Sequence, residues 1–501
     1  MSRPVRTRRG GPALLLAVVL SSVAACSSAP PPPSALENTD GAAPSSAPAA
    51  GPSASASALA VPITKTLADG TKVTTVVRNG QVIVTTTKNG KTTTTTKSAT
   101  GTSSAPTRTT AARSTLFTPA EDKIGITSNS ITMCAHAALT YGAAFNTSDA
   151  DLNVFWSAVN DNGGVYGRKV AVTYENDDYK PTTAVEAARK CKAKGIFLLL
   201  GGIGFDQIPA VRNWAEENRM LYMHHTATVK GTAGQKFSFA PLPSVERTGE
   251  AFGQLYESKY HGKKIGIIKR DGENWEPGVV AFKSYIASHG DGKMVVAETA
   301  VPQNKGNYTD DVLAMKNNGA EVVWIWDNAL DAAPIVKQIR AQAYNPHMML
   351  FPFNLTAQTL DEDAFNPALD GVAMFTAYTN GEYGGPFASY ADDMKLFEAQ
   401  YKKYRPNVDL AGVGGDLLFL NWSAQKALYA QFLDCGKDCT RNRFVDMLET
   451  YNKRPTSSAC PLDFTDGNHR RGTEDLVFME TYRDARGKAA WRNTKMCVGR
   501  G

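Results

Sequence analysis

Asn160-Asp161-Asn162-Gly163-Gly164-Val165-Tyr166-Gly167-Arg168-Lys169 runs into Val170-Ala171-Val172-Thr173-Tyr174 and then into Glu175-Asn176-Asp177-Asp178-Tyr179-Lys180-Pro181. The first block is polar and glycine-rich, the composition of a turn. The second is apolar and β-branched, the composition of a strand. Pro181 opens a helix over 181–194, because its fixed φ suits a first helical turn and its missing N–H costs nothing there. An apolar strand follows at 196–200, then the turn Gly201-Gly202-Ile203-Gly204, then a helix over 208–218. Upstream, Ile131-Thr132-Met133-Cys134-Ala135 reads as a strand ending in a loop with Thr140-Tyr141-Gly142. Residues 149–160 read as a helix with Leu152, Phe155, Trp156 and Val159 on one face. Strand and helix alternate, which predicts a parallel sheet covered on both faces.

The same pattern returns downstream. Strands are expected at 264–268, 294–299, 321–326 and 348–352, and helices at 277–289, 308–317 and 332–343. Two similar α/β halves in series describe two lobes. In open α/β sheets a ligand sits outside the carboxyl ends of the strands. Two such edges face to face make a cleft, and hinge closure buries what lies between them.

The first 122 residues read differently. Arg3, Arg6, Arg8 and Arg9 precede the apolar stretch from Ala13 to Leu20, which is too short to span a bilayer. Small residues lead to Val23-Ala24-Ala25-Cys26, which resembles a lipobox. Residues 1–25 are therefore expected to be a signal peptide and Cys26 to carry a lipid, on the outer face of the cytoplasmic membrane. Arg8-Arg9 alone is a weak sign of twin-arginine export, and general secretion is expected. Residues 26–60, mostly Ala, Ser, Pro and Gly, read as a flexible tether. Residues 61–121 read as a Thr-rich spacer. Asp69-Gly70, Asn79-Gly80 and Asn89-Gly90 recur every ten residues between β-branched runs, so a small β meander is one reading of 61–100 and a partly ordered spacer the other.

The net charge of +6 lies in that N-terminal region, where 12 basic residues face 5 acidic ones. Residues 123–501 hold 42 basic and 43 acidic residues. A neutral globular part without a basic run argues against nucleic-acid binding. Beyond Cys26 there are six cysteines, an even number that in an exported chain points to disulfides with any of fifteen pairings. Cys435-x-x-x-Cys439 lacks the His or second Cys pair that a zinc site needs. No metal and no cofactor are expected. G-x-S-x-G, P-loop and HExxH motifs are absent, so the chain does not read as an enzyme.

The block at 160–169 resembles the N-x-x-G-G-v-x-G-R-k turn of the leucine/isoleucine/valine-binding proteins of ABC importers. Residues 174–190 resemble that family's D-D-x-y-x-P-x-x-A segment, and Pro461 to Arg470 a late family turn. The resemblance covers about residues 123–490. It implies a two-lobed type I periplasmic-binding-protein fold over 122–501, each lobe a parallel sheet with helices on both faces, joined by three hinge crossings. Lobe 1 would be about 123–243 and 379–475, and lobe 2 about 244–378 and 476–501. Grouping each cysteine with a neighbour in the chain or in this expected fold gives Cys134–Cys191, Cys435–Cys439 and Cys460–Cys497.

The resemblance also implies ligand contacts. Gly202 and Gly204 precede a helix whose free N–H groups suit a carboxylate, though glycines there also serve close packing. Phe205 stands where the family has a hydroxyl residue. His225 and Thr226 would meet the ligand from the next loop, and Thr140 and Tyr141 from the first. Trp275 stands where a tyrosine commonly covers the ligand, and is equally a packing residue. Asp327 and Asn328 follow a lobe 2 strand, as ligand contacts or as a helix cap. Asn354 falls where a carboxylate commonly pairs with an ammonium group. A neutral residue there means either that Asp327 supplies the charge or that the ligand is not a simple α-amino acid. The function implied is capture of a small polar solute (an amino acid, amide or related metabolite) by a monomeric lipoprotein. An ABC permease and its ATPase subunits would be its partners, and the alternative is a sensor serving a separate signalling protein.

Overall fold

The computed structural model describes residues 59–67, 69–98, 115–140, 148–202, 204–225, 227–355, 360, 369–376, 387–410, 415–456, 458–464, 472–485 and 487–500. Cys26, the signal and tether segments before Leu59, Tyr141, Thr226 and the turn at 465–471 lie outside them. Among the described residues no helix is long and apolar enough to cross a membrane.

Four strands come first: β1 (Pro62–Thr66), β2 (Lys72–Arg78), β3 (Gln81–Lys88) and β4 (Lys91–Ser98). They pair in order, antiparallel throughout. Asn79 and Gly80 turn at φ of 50° and 72°, and Asn89 and Gly90 at 49° and 74°. A type I′ two-residue hairpin turn has positive φ at both central positions, which Asn-Gly tolerates. This small sheet is seated on the next domain. Gly80 N–H donates to the carbonyl of Asn162 at 3.2 Å, Gln400 Nε2 donates to the carbonyl of Leu59 at 2.8 Å, and Val77 is buried.

The first lobe is a five-stranded parallel sheet, order β6-β5-β7-β8-β9. Its strands are β5 (Ser130–Ala137), β6 (Lys169–Asn176), β7 (Leu198–Gly201), β8 (Tyr222–Met223) and β9 (Ser238–Phe239). Between them run α1 (Asp149–Leu152), α2 (Val154–Asp161), α3 (Pro181–Ala193), α4 (Gln207–Glu217) and α5 (Val229–Thr232). The helix expected over 149–160 is thus two pieces, broken at Asn153. Gly164 turns at φ 66°, with its Cα against the carbonyl of Arg168, where a side chain would collide.

The second lobe is a seven-stranded sheet, order β11-β10-β12-β13-β14-β15-β16. Its parallel strands are β10 (Ile265–Arg270), β11 (Val295–Val301), β12 (Val322–Trp326), β13 (His347–Leu350) and β14 (Leu369–Ala373). The last two, β15 (Leu476–Arg483) and β16 (Ala489–Val498), add an antiparallel hairpin to its edge. Helices α6 (Val245–Tyr260), α7 (Glu276–Ser288), α8 (Thr309–Asn317) and α9 (Ala329–Ala341) cover it. After β14 the chain returns to the first lobe with α10 (Tyr390–Tyr404), α11 (Gly415–Cys435) and α12 (Arg441–Leu448). The chain therefore passes between lobes after β9, after β14 and before β15.

Three cysteine pairs stand at bonding distance, with Cα atoms 5.4, 5.3 and 5.5 Å apart: Cys134–Cys191, Cys435–Cys439 and Cys460–Cys497. The first ties β5 to α3. The third ties a segment packed on lobe 1, through Phe464 against Phe239, to β16 of lobe 2.

Candidate ligand cleft

A cavity of about 300 Å³ opens at the carboxyl edge of the first lobe's sheet. Four sources line it, one of them the segment with Thr456, Ser458, Ala459 and Leu462. The ends of β5 and β7 bring His136, Leu139, Gly201 and Gly202. The second lobe brings Asn328, Phe353 and Phe375. The long helix α11 brings a row that includes Leu418, Asn421, Gln425 and Leu428. The lining is chiefly apolar.

Its most organised polar feature is His136, near the carboxyl end of β5. The ring is fully buried. Nδ1 lies 2.8 Å from Asp177 Oδ2, and Nε2 lies 2.7 Å from the Tyr222 hydroxyl. Asp177 Oδ1 also accepts from the N–H of Tyr179 at 2.8 Å. Burial pushes the Tyr222 phenol well above its ordinary range. Gly201 leaves room for this network, since a Cβ there would stand 2.9 Å from His136 Nε2. Both ring nitrogens are engaged, so His136 shows the cavity its ring and no spare donor.

The residues singled out in the sequence fall into four places. Gly202, His225 and Asn328 line the cavity. The N–H of His225 donates to the carbonyl of Gly202 at 3.2 Å, and burial holds its imidazole down to about 4, hence neutral at neutral pH. Asn328 Oδ1 caps α9 by accepting from the N–H of Leu330 at 2.9 Å, while its Nδ2 is buried with no partner among the described residues. It is a cap and a lining residue at once.

Phe205 and Trp275 do not line the cavity. They stack on each other across the lobes, ring centroids 4.0 Å apart and planes 22° apart, both almost wholly buried. Beside them Asp206 Oδ2 stands 3.7 Å from Arg270 Nη2, again one residue from each lobe. Burial raises the Asp206 carboxyl, against the pull of Arg270. Gly204 lies in the same loop, where a side chain would collide with Gln207.

Asp327 and Asn354 sit behind Asn328 within lobe 2. Asn354 Nδ2 donates to the carbonyl of Asp327 at 2.7 Å, and Asp327 Oδ1 accepts from the N–H of Asn328 at 2.7 Å. Burial, reinforced by the nearby Asp331, pushes the Asp327 carboxyl up to about 8. Thr140 stands outside, at the cleft mouth, donating to Asp178 Oδ1 at 3.1 Å. There Thr140, Asp178 and Lys180 face Gln303 and Asn304 across a shallow polar pocket. Tyr141 and Thr226 lie outside the described residues.

Two contributors escaped the sequence reading. His136 carries a signal, a polar residue ending a buried parallel strand, where ligands sit. Helix α11 carries none, because it is apolar on most sides and lacks a motif. Away from the cleft, Glu257, His261 and Asp291 group on the surface of lobe 2, where Glu257 raises the His261 imidazole by accepting its N–H.

A model of the periplasmic binding protein family matches residues 141–486, more than half of the chain. The curated Leu/Ile/Val-binding protein homolog 3 of Brucella melitensis is 28% identical over 173 residues, 33% of this chain and 45% of that protein. The chain thus matches less than half the length of that relative. Among solved structures, a fatty acid ABC transporter substrate-binding protein from Thermomonospora curvata has a TM-score of 0.61 at 17% identity, over 75% of this chain and 94% of that one. An ABC transporter solute-binding protein from Rhodopseudomonas palustris BisB5, in complex with 3,4-dihydroxy benzoic acid, gives 0.59 at 14%, over 74% and 98%. A leucine binding protein from Thermotoga maritima gives 0.56 at 14%, over 72% and 97%. The chain belongs to the periplasmic binding protein family, and it shares its fold with a leucine binding protein.

Proposed function

We propose that this protein is a lipid-anchored receptor, acylated at Cys26, that closes on a small acid with an apolar body and delivers it to an ABC importer. The observation that carries the ligand class is the cavity lining. Among the described residues Asp177 is the one carboxylate on it, and both its oxygens are already engaged. Asp327 is walled off behind Asn328 and is mostly protonated at neutral pH. Among the described residues a free ammonium group would meet no available carboxylate and a carboxylate no cation, so uncharged hydrogen-bond donors must select the ligand, and an unpaired buried charge is costly. Asn328 Nδ2 and the Ser423 hydroxyl, buried with no partner among the described residues, are free to meet an acid or its oxygen substituents. The leucines of α11 suit an alkyl or aryl body. Apolar acids accord with the fatty acid and dihydroxybenzoic acid named for two structural neighbours. A second reading, a branched-chain amino acid, is favoured by the Brucella relative, since its side chain would suit the same leucines. Delivery to a permease, rather than to a signalling protein, follows the transporter role of those neighbours.

Thermal-shift measurement against alkanoic acids, aromatic acids and branched-chain amino acids tests this. A ligand bound by the folded state alone raises the melting temperature by mass action. Shifts with the acids and none with the amino acids are expected. The reverse pattern sinks the proposed ligand class. Intact-mass measurement of membrane-extracted protein tests acylation, and an unmodified Cys26 thiol rules it out.

A further inference from the structure

The sheet β1–β4 takes no part in the cleft, and its chemistry differs from that of the lobes. Residues 61–98 hold six basic side chains against one acidic, Asp69, and no aromatic one. The antiparallel register fixes where those charges lie. The β2–β3 turn, with Val77 and Gly80, is the end seated on lobe 1. The β1–β2 and β3–β4 turns share the opposite end. There Thr66 pairs with Lys72, Lys72 with Thr87, and Lys88 with Lys91. Lys65, Lys72, Lys88 and Lys91 therefore cluster at the free tip, all exposed. Asp69 answers one of them, 2.8 Å from Lys88 Nζ. In the same turn Leu67 is 42% exposed, among the few large apolar residues of the described chain that face solvent. Lysines on outer strands commonly protect a sheet edge from pairing. That accounts for Lys65 and Lys91, but not for Lys72 and Lys88 on inner strands, nor for a leucine set among them.

We propose that this tip is a membrane contact, in which the four lysines meet the headgroups of anionic phospholipids and Leu67 enters the headgroup layer. The charge is complementary to such a surface, and an exposed apolar side chain among cations is the pattern of interfacial binding. An anionic cell-wall polymer would satisfy the lysines and offer Leu67 nothing. The tip is also near enough. Leu59 follows Cys26 by 33 residues, a chain that reaches about 115 Å at most. Because the sheet is seated on lobe 1, contact at the tip orients the cleft relative to the membrane. The inference takes from the proposed function the nearness of the membrane and nothing about the ligand.

The test uses residues 26–501 with Cys26→Ser, which carries neither the apolar segment of the expected signal peptide nor an acyl anchor, and co-sedimentation with vesicles. Binding to phosphatidylglycerol-containing vesicles is expected, with little to phosphatidylcholine alone and loss at high salt. Each Lys→Gln change among Lys65, Lys72, Lys88 and Lys91 should lower the partition coefficient about fivefold. An environment-sensitive dye on Leu67→Cys should shift its emission to the blue on anionic vesicles. An unaltered melting curve shows that the quadruple variant keeps its fold. The idea fails if that variant pellets like its parent, if the dye does not shift, or if the chain pellets with isolated cell wall but not with vesicles. Neither an unmodified Cys26 nor the absence of a small-molecule ligand changes these readings.

Discussion

Asp327 is a carboxyl group whose environment opposes its ordinary ionisation. It is fully buried at the end of β12, with Asp331 beside it and the Arg270 guanidinium too weakly coupled to offset burial. Its carboxyl titrates near 8 in the fold and near 4 in an unfolded chain. With the folded value raised, the unfolded state releases its proton first as pH rises. Stability associated with Asp327 is therefore complete below about pH 4 and is lost progressively up to about pH 8. Asp327→Asn keeps an oxygen to accept from the N–H of Asn328 and cannot ionise. Its melting temperature should exceed that of the parent by a margin that grows between pH 4.5 and pH 8. A margin independent of pH would mean that the carboxyl is not held neutral. The sequence could place Asp327 after a strand, at the cleft edge. It could not show that Asn354 turns inward to hold the Asp327 carbonyl, because that contact depends on the one-turn 3-10 helix Pro352–Asn354.

At the level of elements, legibility followed apolar periodicity. Residues 196–200 and 322–326 are short unbroken apolar runs between turn signals, and parallel strands buried on both faces have that form. The alternation of strand and helix followed from them. Two features had no such signal. The antiparallel pairing of β15 and β16 onto β14 depends on the chain's third passage between lobes, which local sequence does not encode. Helix packing partners are likewise set in three dimensions. Helices α6 and α7 approach so closely that a Cβ on Gly249 would collide with the carbonyl of Gly278, and one on Gly278 with the ring of Trp326. Both glycines lie inside helices, where glycine costs about 1 kcal/mol relative to alanine, so close approach explains their presence. Gly249→Val should force the helices apart and destabilise the protein by about 1–3 kcal/mol. Chemical denaturation measures this, and a midpoint unchanged from the parent would contradict the packing.

At the scale of the whole molecule two lobes face each other, and the ties between them differ in kind. Cys460 and Cys497 stand at bonding distance, and a disulfide between them would persist through any opening. The Phe205–Trp275 stack and the Asp206–Arg270 pair lie between the facing edges, and opening must break them. By the resemblance read in the sequence, Phe205 stands in place of a hydroxyl residue and Trp275 in place of a tyrosine. Seventy residues apart in sequence, they read as two separate ligand contacts, and their meeting is visible only once both lobes are built. An aromatic stack contributes about 0.5–1.5 kcal/mol beyond simple burial. Removing about 1 kcal/mol from the closed state alone shifts the closed-to-open ratio about fivefold. Phe205→Ala should therefore raise the radius of gyration measured by small-angle scattering without added solute. It should also weaken binding of any solute held by the closed form by up to the same factor, since the competent state is less populated. If Phe205 instead touches the solute directly, affinity falls while the scattering of the free protein stays that of the parent. The two measurements together separate a latch from a contact.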